Sequence, residues 1–321
     1  MKEIYMTDYV KFFSSFLKEN QIKINEPMKR HTTFGIGGPA DCFLVPETAE
    51  EMQRIIKEAS KEEIPLFILG GGANLLVRDK GIRGLVVYTG RLQKIEKEGN
   101  LLHVTAGVPT IRVAEAAAQY GLSGLEFAGG IPGSIGGAVY MNAGAYTGEM
   151  SQVVTSVISY DGKGDIAVRG KDEIGYSYRN SLFMRNKEII SKITLELVHG
   201  DRIAIQNLMN DFNARRREKQ PLDKKSAGST FKRPEGYFAG KLIQDTGLAG
   251  FQVGGAQVSE KHCGFVINKE NATAADIDSL MRQVSEKVKE KFEDMNVNTS
   301  SSSTHNNDID LDENTFTYTV K

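Results

Sequence analysis

The chain has 321 residues, 40% apolar and 25% charged, which is enough for a sizeable core and too apolar for wholesale disorder. At about 100–200 residues per domain, this length predicts two or three domains. Lys+Arg (40) balance Asp+Glu (41), so there is no basic field to hold a nucleic-acid backbone, and no apolar run approaches the ~18 residues of a membrane span. Neither nucleic acid nor membrane insertion is expected.

Residues 1–20 lack the apolar stretch of a secretory signal. Cys42 and Cys263 are far apart without metal-ligand spacing, so they read as thiols of a reducing, cytoplasmic compartment. Val10, Phe13, Phe16 and Leu17 predict an amphipathic helix over residues 8–20, a lid followed by a connector to residue 30. From 31 to 90 the pattern is a small α/β unit. An apolar run over 40–45 precedes Thr48 and Glu51, a capping box opening a helix whose face is Met52, Ile55, Ile56 and Ala59. Strands follow at 66–69 and 85–88.

Residues 91–200 make a second unit. A strand at 101–105 leads to a helix from Thr110 through Val113, Ala117 and Tyr120, closed by Gly121. Residues 129–148 are dense in glycine and nearly without periodicity. Strands are predicted at 153–160, 165–169 and 188–198, the latter two flanking a loop over 175–185. The third unit, 201–292, opens with a helix carrying Ile205, Leu208, Met209 and Phe212 and ending in Arg215, Arg216 and Arg217. That basic cluster reads as electrostatic capping of the helix end, with phosphate contact as the alternative. Residues 221–258 are loop-rich with short strands, 264–268 form a strand, and Ile277, Leu280, Met281, Val284 and Val288 mark a long amphipathic helix over 273–292. Residues 293–321 turn polar and acidic and predict a disordered tail or a loose terminal strand. The whole is of the α+β class.

Three glycine clusters could carry chemistry. Gly35, Gly37 and Ala40 fit G-x-G-x-x-A, but no helix follows, so this is not a Rossmann turn. Gly70, Gly71, Gly72 and Asn74 follow a strand, as a phosphate-cradling turn does, without the G-K-[ST] of a P-loop. Gly129, Gly130, Pro132, Gly133, Ser134, Gly136, Gly137, Asn142 and Gly144 suit a backbone wrapped closely round a bulky cofactor; a glycine-packed crossing is the structural alternative. Two such loops suggest a dinucleotide between them. Tyr176, Tyr178, Arg179, Asn180 and Ser181 gather aromatics, a cation and amides in one loop, and Gly228 precedes Ser229. No histidine lies near Ser229 in sequence, so hydrolase chemistry is unsupported. Lys241, Lys261 and His262 could face an anionic substrate, although each taken singly reads as structural or surface.

These segments occur in one order: 31–38, 70–76, 124–128, 130–137, 141–145, 178–181, Lys219 to Pro221, Gly228-Ser229, 238–243 and Lys261-His262. Over residues 20–292 this resembles the UDP-N-acetylenolpyruvoylglucosamine reductases, the MurB family of peptidoglycan synthesis, in its compact second type. The resemblance implies an FAD-binding fold of the p-cresol methylhydroxylase and vanillyl-alcohol oxidase type, formed by 31–90 and 91–200, with 201–292 closing over a UDP-sugar. The glycine loops named above, with Asn74, Ser134 and Asn142, would hold the FAD. NADPH would reduce the flavin, whose N5 passes a hydride to the enolpyruvyl C3 before protonation at C2 yields UDP-N-acetylmuramate. Arg179 would stabilise charge developing on the substrate carboxylate, and Ser229 would be the proton donor. Tyr178 and Lys241 would contact substrate, Lys241 at the diphosphate. The family's third catalytic residue, a Glu on a C-terminal strand, has no clear counterpart after Phe292. An ungapped match puts Thr299 there, and an insertion over 293–307 would put Glu313 there. The competing readings are a catalytically impaired binding homologue and an oxygen-using oxidase of the same superfamily.

Overall fold

The computed structural model describes residues 6–234, 236–292 and, as backbone, 315–319. Helix α1 spans Met6–Phe13, shorter than the periodicity predicts. Ser14 and Ser15 end it, because their hydroxyls bond back to the Val10 and Phe12 carbonyls. The expected connector contains strand β1, Ile22–Pro27, and β2 follows at Pro39–Leu44. Helix α2, Ala49–Lys61, is capped by the Thr48 hydroxyl, which accepts from Glu51 N at 3.1 Å. The capping box is half made: the Glu51 carboxylate accepts from Glu47 N and Gln21 Nε2, both at 2.7 Å, instead of reaching back to Thr48.

Strand β3 is Leu66–Leu69 and β4 is Leu75–Tyr88, ten residues longer at its start than the strand predicted over 85–88. Then come β5, Ile95–Glu98, β6, Leu101–Thr105, and α3, Thr110–Gln119, which Gly121 ends at φ 67° as predicted. After β7, Leu122–Ser123, the aperiodic glycine segment holds a helix, α4, Ile135–Tyr140. Six residues are too few to display a helical period, which is why the sequence hid it. The remaining first-half elements are β8 (Gly144–Ala145), β9 (Gly148–Glu149), β10 (Val154–Tyr160), β11 (Ile166–Gly170), α5 (Lys171–Ile174), α6 (Leu182–Asn186), β12 (Ile189–Glu196) and β13 (Val198–His199). Helix α7, Arg202–Lys219, leads to β14 (Lys225–Ser229), α8 (Ala239–Asp245), β15 (Gln252–Val253), β16 (Ala256–Val258), β17 (Phe265–Asn268), α9 (Ala274–Phe292) and β18 (Thr315–Thr319). Strands β14, β15 and β16 are the short strands expected over 221–258, and helix α8 is an addition to that loop-rich reading.

The chain divides into two compact units: residues 1–24, 42–71 and 84–216, and residues 25–41, 72–83 and 217–321. The first is built on an antiparallel sheet of order β11-β10-β12-β6-β5. Leu102, Val104, Val157, Ile193 and Leu195 from its strands pack with Val113 and Ala117 of α3 and Ile135 and Val139 of α4. Burying each such aliphatic side chain contributes about 1.5–3 kcal/mol. In the same unit β3 pairs in parallel with the end of β4, Leu66 opposite Leu85 through Leu69 opposite Tyr88. Parallel pairing needs a crossover, which the loop after β3 and the first part of β4 supply.

The second unit carries the sheet β14-β17-β16-β15. Ile277, Leu280, Val284 and Val288 of α9 face a core shared with Phe34, Ile36, Leu76, Val258 and Val266. That is the face predicted from the 3.6-residue period. Strand β18 lies antiparallel on the first part of β4, Thr319 opposite Leu75 and Thr315 opposite Ile82, where composition predicts a disordered tail or a loose terminal strand.

Candidate functional site

The two glycine loops singled out in the sequence meet directly in the first unit. A Cβ on Gly70 would overlap the Ser134 hydroxyl, and one on Gly71 would come within 2.5 Å of the Gly133 Cα. Backbone therefore lies against backbone where Gly71 meets Gly133, so the two loops pack on each other at this point. The loop around α4 is tied down by Thr110 N to Gly133 O (3.0 Å), Ile135 N to Val108 O (2.8 Å) and Gly136 N to Ala106 O (2.9 Å). Ser134 is 5% exposed and caps α4, its hydroxyl accepting from Gly137 N at 3.3 Å. Gly71, Pro132 and Gly137 are exposed, so the crossing offers an open rim along which a ligand can run.

In the second unit, Gly72 has φ 62°, and its carbonyl accepts from Thr33 N at 3.1 Å. Two residues on, Asn74 has both carboxamide atoms buried and without a hydrogen-bond partner. Leaving a buried polar group unpaired costs about 1–3 kcal/mol, so an amide orphaned at both ends points to a ligand carrying both donor and acceptor groups. A flavin dinucleotide fits that requirement, with carbonyl, imino and phosphate oxygen groups along its length.

Arg179 sits at φ 54°, a conformation that non-glycine residues adopt at a cost and that clusters at functional sites. Its Nη1 donates to Asn142 O at 3.0 Å and its Nη2 to Gly144 O at 2.9 Å. The guanidinium carbon lies 5.2 Å from the centroid of the exposed Tyr178 ring. Among the described residues no carboxylate lies within ion-pair distance of Arg179. The carbonyls therefore aim the fork without neutralising it. Asn142, also at positive φ and fully buried, holds this arrangement together. Its Nδ2 donates to Ser177 O at 3.0 Å and its Oδ1 accepts from Ser151 N at 2.9 Å. The Asn142 carboxamide, read from sequence as a cofactor contact, is thus engaged inside the protein. Ser181 adds a bond to Tyr140 O at 2.7 Å. The Tyr176 hydroxyl is buried without a partner, and burial pushes its pKa up, which keeps it protonated.

Ser229 ends β14 and is exposed. A register shift separates the Ser226–Ile267 and Ser229–Phe265 pairs, and Gly228 takes up the irregularity at φ 81°. Beside it, Thr230 N donates to Gly264 O at 2.8 Å. A Cβ on Gly264 would lie 3.5 Å from Ser229 Oγ and close to the His262 ring. His262 Nδ1 accepts from Gly264 N at 3.1 Å, and burial lowers its pKa, so the ring is neutral with its proton on Nε2. Lys241 is exposed and paired with Asp245 one turn along α8. Lys261 Nζ donates to Arg217 O at 2.7 Å, which makes it a cap for the end of α7. Glu313 and Thr299 lie outside the described residues.

The basic cluster ending α7 resolves into different roles. Arg215 pairs with Asp211 at 2.7 Å. Arg216 is 8% exposed, with Nη1 buried and unpartnered. Its burial was there to be read: Ile205, Met209, Phe212 and Arg216 follow helical spacing on one face. A charge on that face is easily taken for part of the terminal basic run.

The chain matches two family profiles, described as "FAD binding domain" over residues 40–168 and "UDP-N-acetylenolpyruvoylglucosamine reductase, C-terminal domain" over residues 220–295. A UDP-N-acetylenolpyruvoylglucosamine reductase of Clostridium novyi is 50% identical over 285 residues, 89% of this chain and 93% of its own length. One from Caldanaerobacter subterraneus is 49% identical over 276 residues, 86% of this chain and 91% of its own. The crystal structure of UDP-N-acetylenolpyruvylglucosamine reductase (MurB) from Thermus caldophilus superposes with a TM-score of 0.74 at 37% identity, covering 83% of this chain and 95% of that one. With sequence kinship of this extent over both profiles, and the fold shared, the chain belongs to the UDP-N-acetylenolpyruvoylglucosamine reductase family of FAD-dependent oxidoreductases.

Proposed function

We propose that this protein reduces UDP-N-acetyl-enolpyruvoylglucosamine to UDP-N-acetylmuramate in the cytoplasm, with NADPH as reductant. FAD, when bound, would supply the redox chemistry, the passage of a hydride from NADPH to the enolpyruvyl C3. Residues 31–90 and 91–200 hold the cofactor, and residues 201–292 close over the UDP-sugar. As C3 gains a hydride, negative charge develops on the substrate carboxylate. A guanidinium already fixed by the Asn142 and Gly144 carbonyls meets that charge without reorganising, so it favours the transition state over the ground state. Ser229 donates its hydroxyl proton to C2. A serine is a weak acid and can act only on a strongly basic carbon. Tyr178 contacts the substrate, and Lys241, leaving Asp245, faces the diphosphate. Glu313 is the candidate for the third catalytic residue.

The observation that carries this reading is Arg179: a strained, pinned cation with no carboxylate among the described residues, in the loop that matches the family motif. Anaerobic reduction with NADPH, followed by addition of the enolpyruvyl UDP-sugar, tests it through flavin absorbance. Bleaching and then rapid reoxidation is expected. Ser229→Ala is expected to bleach normally and reoxidise far more slowly; unchanged reoxidation removes Ser229 from the acid role. One observation favours a second reading, an impaired homologue: the C-terminal family match ends at residue 295, before any candidate for the third residue. A wild-type flavin that bleaches and stays reduced would establish that reading instead.

A further inference from the structure

Strand β11 is an open edge of the first unit's antiparallel sheet. Its strand neighbour among the described residues is β10, from Tyr160 opposite Ile166 to Ser156 opposite Gly170, with no break in register. Asp161 N donates to Asp165 O at 3.0 Å, and Asp165 N donates to the Asp161 carboxylate at 2.9 Å, so the peptide groups of Asp165 face β10. Alternation along an antiparallel strand turns those of Ala167 the same way and those of Ile166 and Val168 outward, away from β10. At the far end Gly170 N is taken by the Glu173 carboxylate at 2.9 Å, which closes the edge there. The Ile166 and Val168 side chains share one face of the strand, and each is 62% exposed. A regular edge with two exposed β-branched residues, and no lysine, proline or bulge within it, is a template for another strand.

The sequence of the edge indicates which strand that is. Two copies related by a two-fold axis normal to the sheet keep their faces in common only if the axis passes through a residue position. An axis at Ala167 sets Ile166 opposite Val168 of the second copy and Asp165 opposite its Arg169. An axis at Asp165 or at Arg169 would face like charges, and one at Ile166 or Val168 would leave a charge opposite Ala167. Only the Ala167 register meets apolar with apolar and acid with base. Both charges already have partners in their own chain, Lys57 for Asp165 and Glu188 for Arg169, so they select register more than they add affinity.

We propose that β11 is a self-pairing edge: two copies of this chain join antiparallel about Ala167, with the peptide groups of Ile166 exchanging hydrogen bonds with those of Val168 in the second copy. This does not depend on the reductase reading. Two short strands bury an area at the low end of specific interfaces, below ~1,200 Å², so the dimer is weak and concentration-dependent.

Sedimentation velocity of the full-length protein over a wide range of concentration is the first test, and the average mass is expected to rise toward that of two chains. Val168→Lys puts a charge opposite Ile166 twice per dimer and is expected to raise the dissociation constant about tenfold or more. Its melting temperature at low concentration should match the parent's, because Val168 is exposed. The register has its own readout. Ala167 faces its own copy in a non-hydrogen-bonded pair, where Cα atoms are about 4.5 Å apart, within disulfide range. Ala167→Cys should therefore form a disulfide-linked dimer under mild oxidation, and Ile166→Cys should do so far less. The native Cys42 and Cys263 are buried and compete little. A parent that stays monomeric at every concentration overturns the proposal, and so does a dimer that Val168→Lys leaves intact. Equal cross-linking at positions 166 and 167 overturns the register and with it the self-pairing argument. If Val168→Lys does not fold, the comparison of the two cysteine variants decides alone.

Discussion

The crossing of the two glycine loops makes a quantitative prediction about Gly70 and Ser134. Gly70 has ordinary backbone angles, so Gly70→Ala introduces no φ strain. Its penalty is steric and local: the added Cβ overlaps Ser134 Oγ, whereas the next atom, Ser134 Cβ, is 3.4 Å away. Overpacking of this kind costs about 1–3 kcal/mol. Ser134→Ala alone loses an N-cap bond of 3.3 Å on a six-residue helix. A long bond on a short helix puts that loss near the low end of the usual range, about 0.5 kcal/mol. The double variant removes the very atom with which the new Cβ collides, and the remaining 3.4 Å contact is tolerable. It should therefore be more stable than Gly70→Ala, with a coupling of about 1 kcal/mol or more. Urea unfolding of the four proteins, read by intrinsic tyrosine fluorescence, completes the cycle. Additive losses would refute the reasoning, because they would mean that Gly70 and Ser134 do not meet. Gly71→Ala has no such remedy, since its Cβ would meet Gly133 backbone 2.5 Å away.

Asn74→Ala should weaken FAD binding by tenfold or more while leaving the flavin-free protein no less stable, because the amide it removes is orphaned in the protein; unchanged affinity in a fluorescence titration would exclude a flavin contact. Arg179→Lys keeps the charge but cannot bridge the Asn142 and Gly144 carbonyls as a fork, and should lower turnover by about 10²–10³-fold with flavin reduction by NADPH intact. Full activity in that variant would remove bidentate recognition there. His262 makes a pH prediction: burial holds its pKa below the ordinary 6.5. As pH falls through about 6.5 the unfolded chain takes up a proton that the folded protein resists, so this contribution to stability is complete above that pH and is lost below it. The melting temperature of His262→Gln should fall less than the parent's between pH 7 and pH 5.5, and parallel curves would contradict the assignment.

What the sequence by itself determined follows from how local the signal is. Helices α2, α3 and α9 were legible because each runs ten residues or more with one apolar face, and Thr48 and Gly121 mark ends whose chemistry lies within a few residues. The family was legible for the same reason: its motifs are short, ordered strings such as residues 130–137 and 178–181, and their order survives without any knowledge of the fold. Tertiary structure alone decided which of those residues face a ligand and which face one another. Gly70 and Ser134 are 64 positions apart, and no local pattern reveals that they touch. Asn142 and Asn74 are the same residue type in equally glycine-rich settings, yet one has its amide bonded to Ser177 and Ser151 and the other has its amide buried with nothing to bond. Arg216 sits in a run of three arginines that composition treats alike, and only the rotation of α7 against Gly130 separates it from its solvated neighbour Arg215. Hydrogen-bond satisfaction and burial depend on contacts between distant segments, so they exist only once the chain has folded.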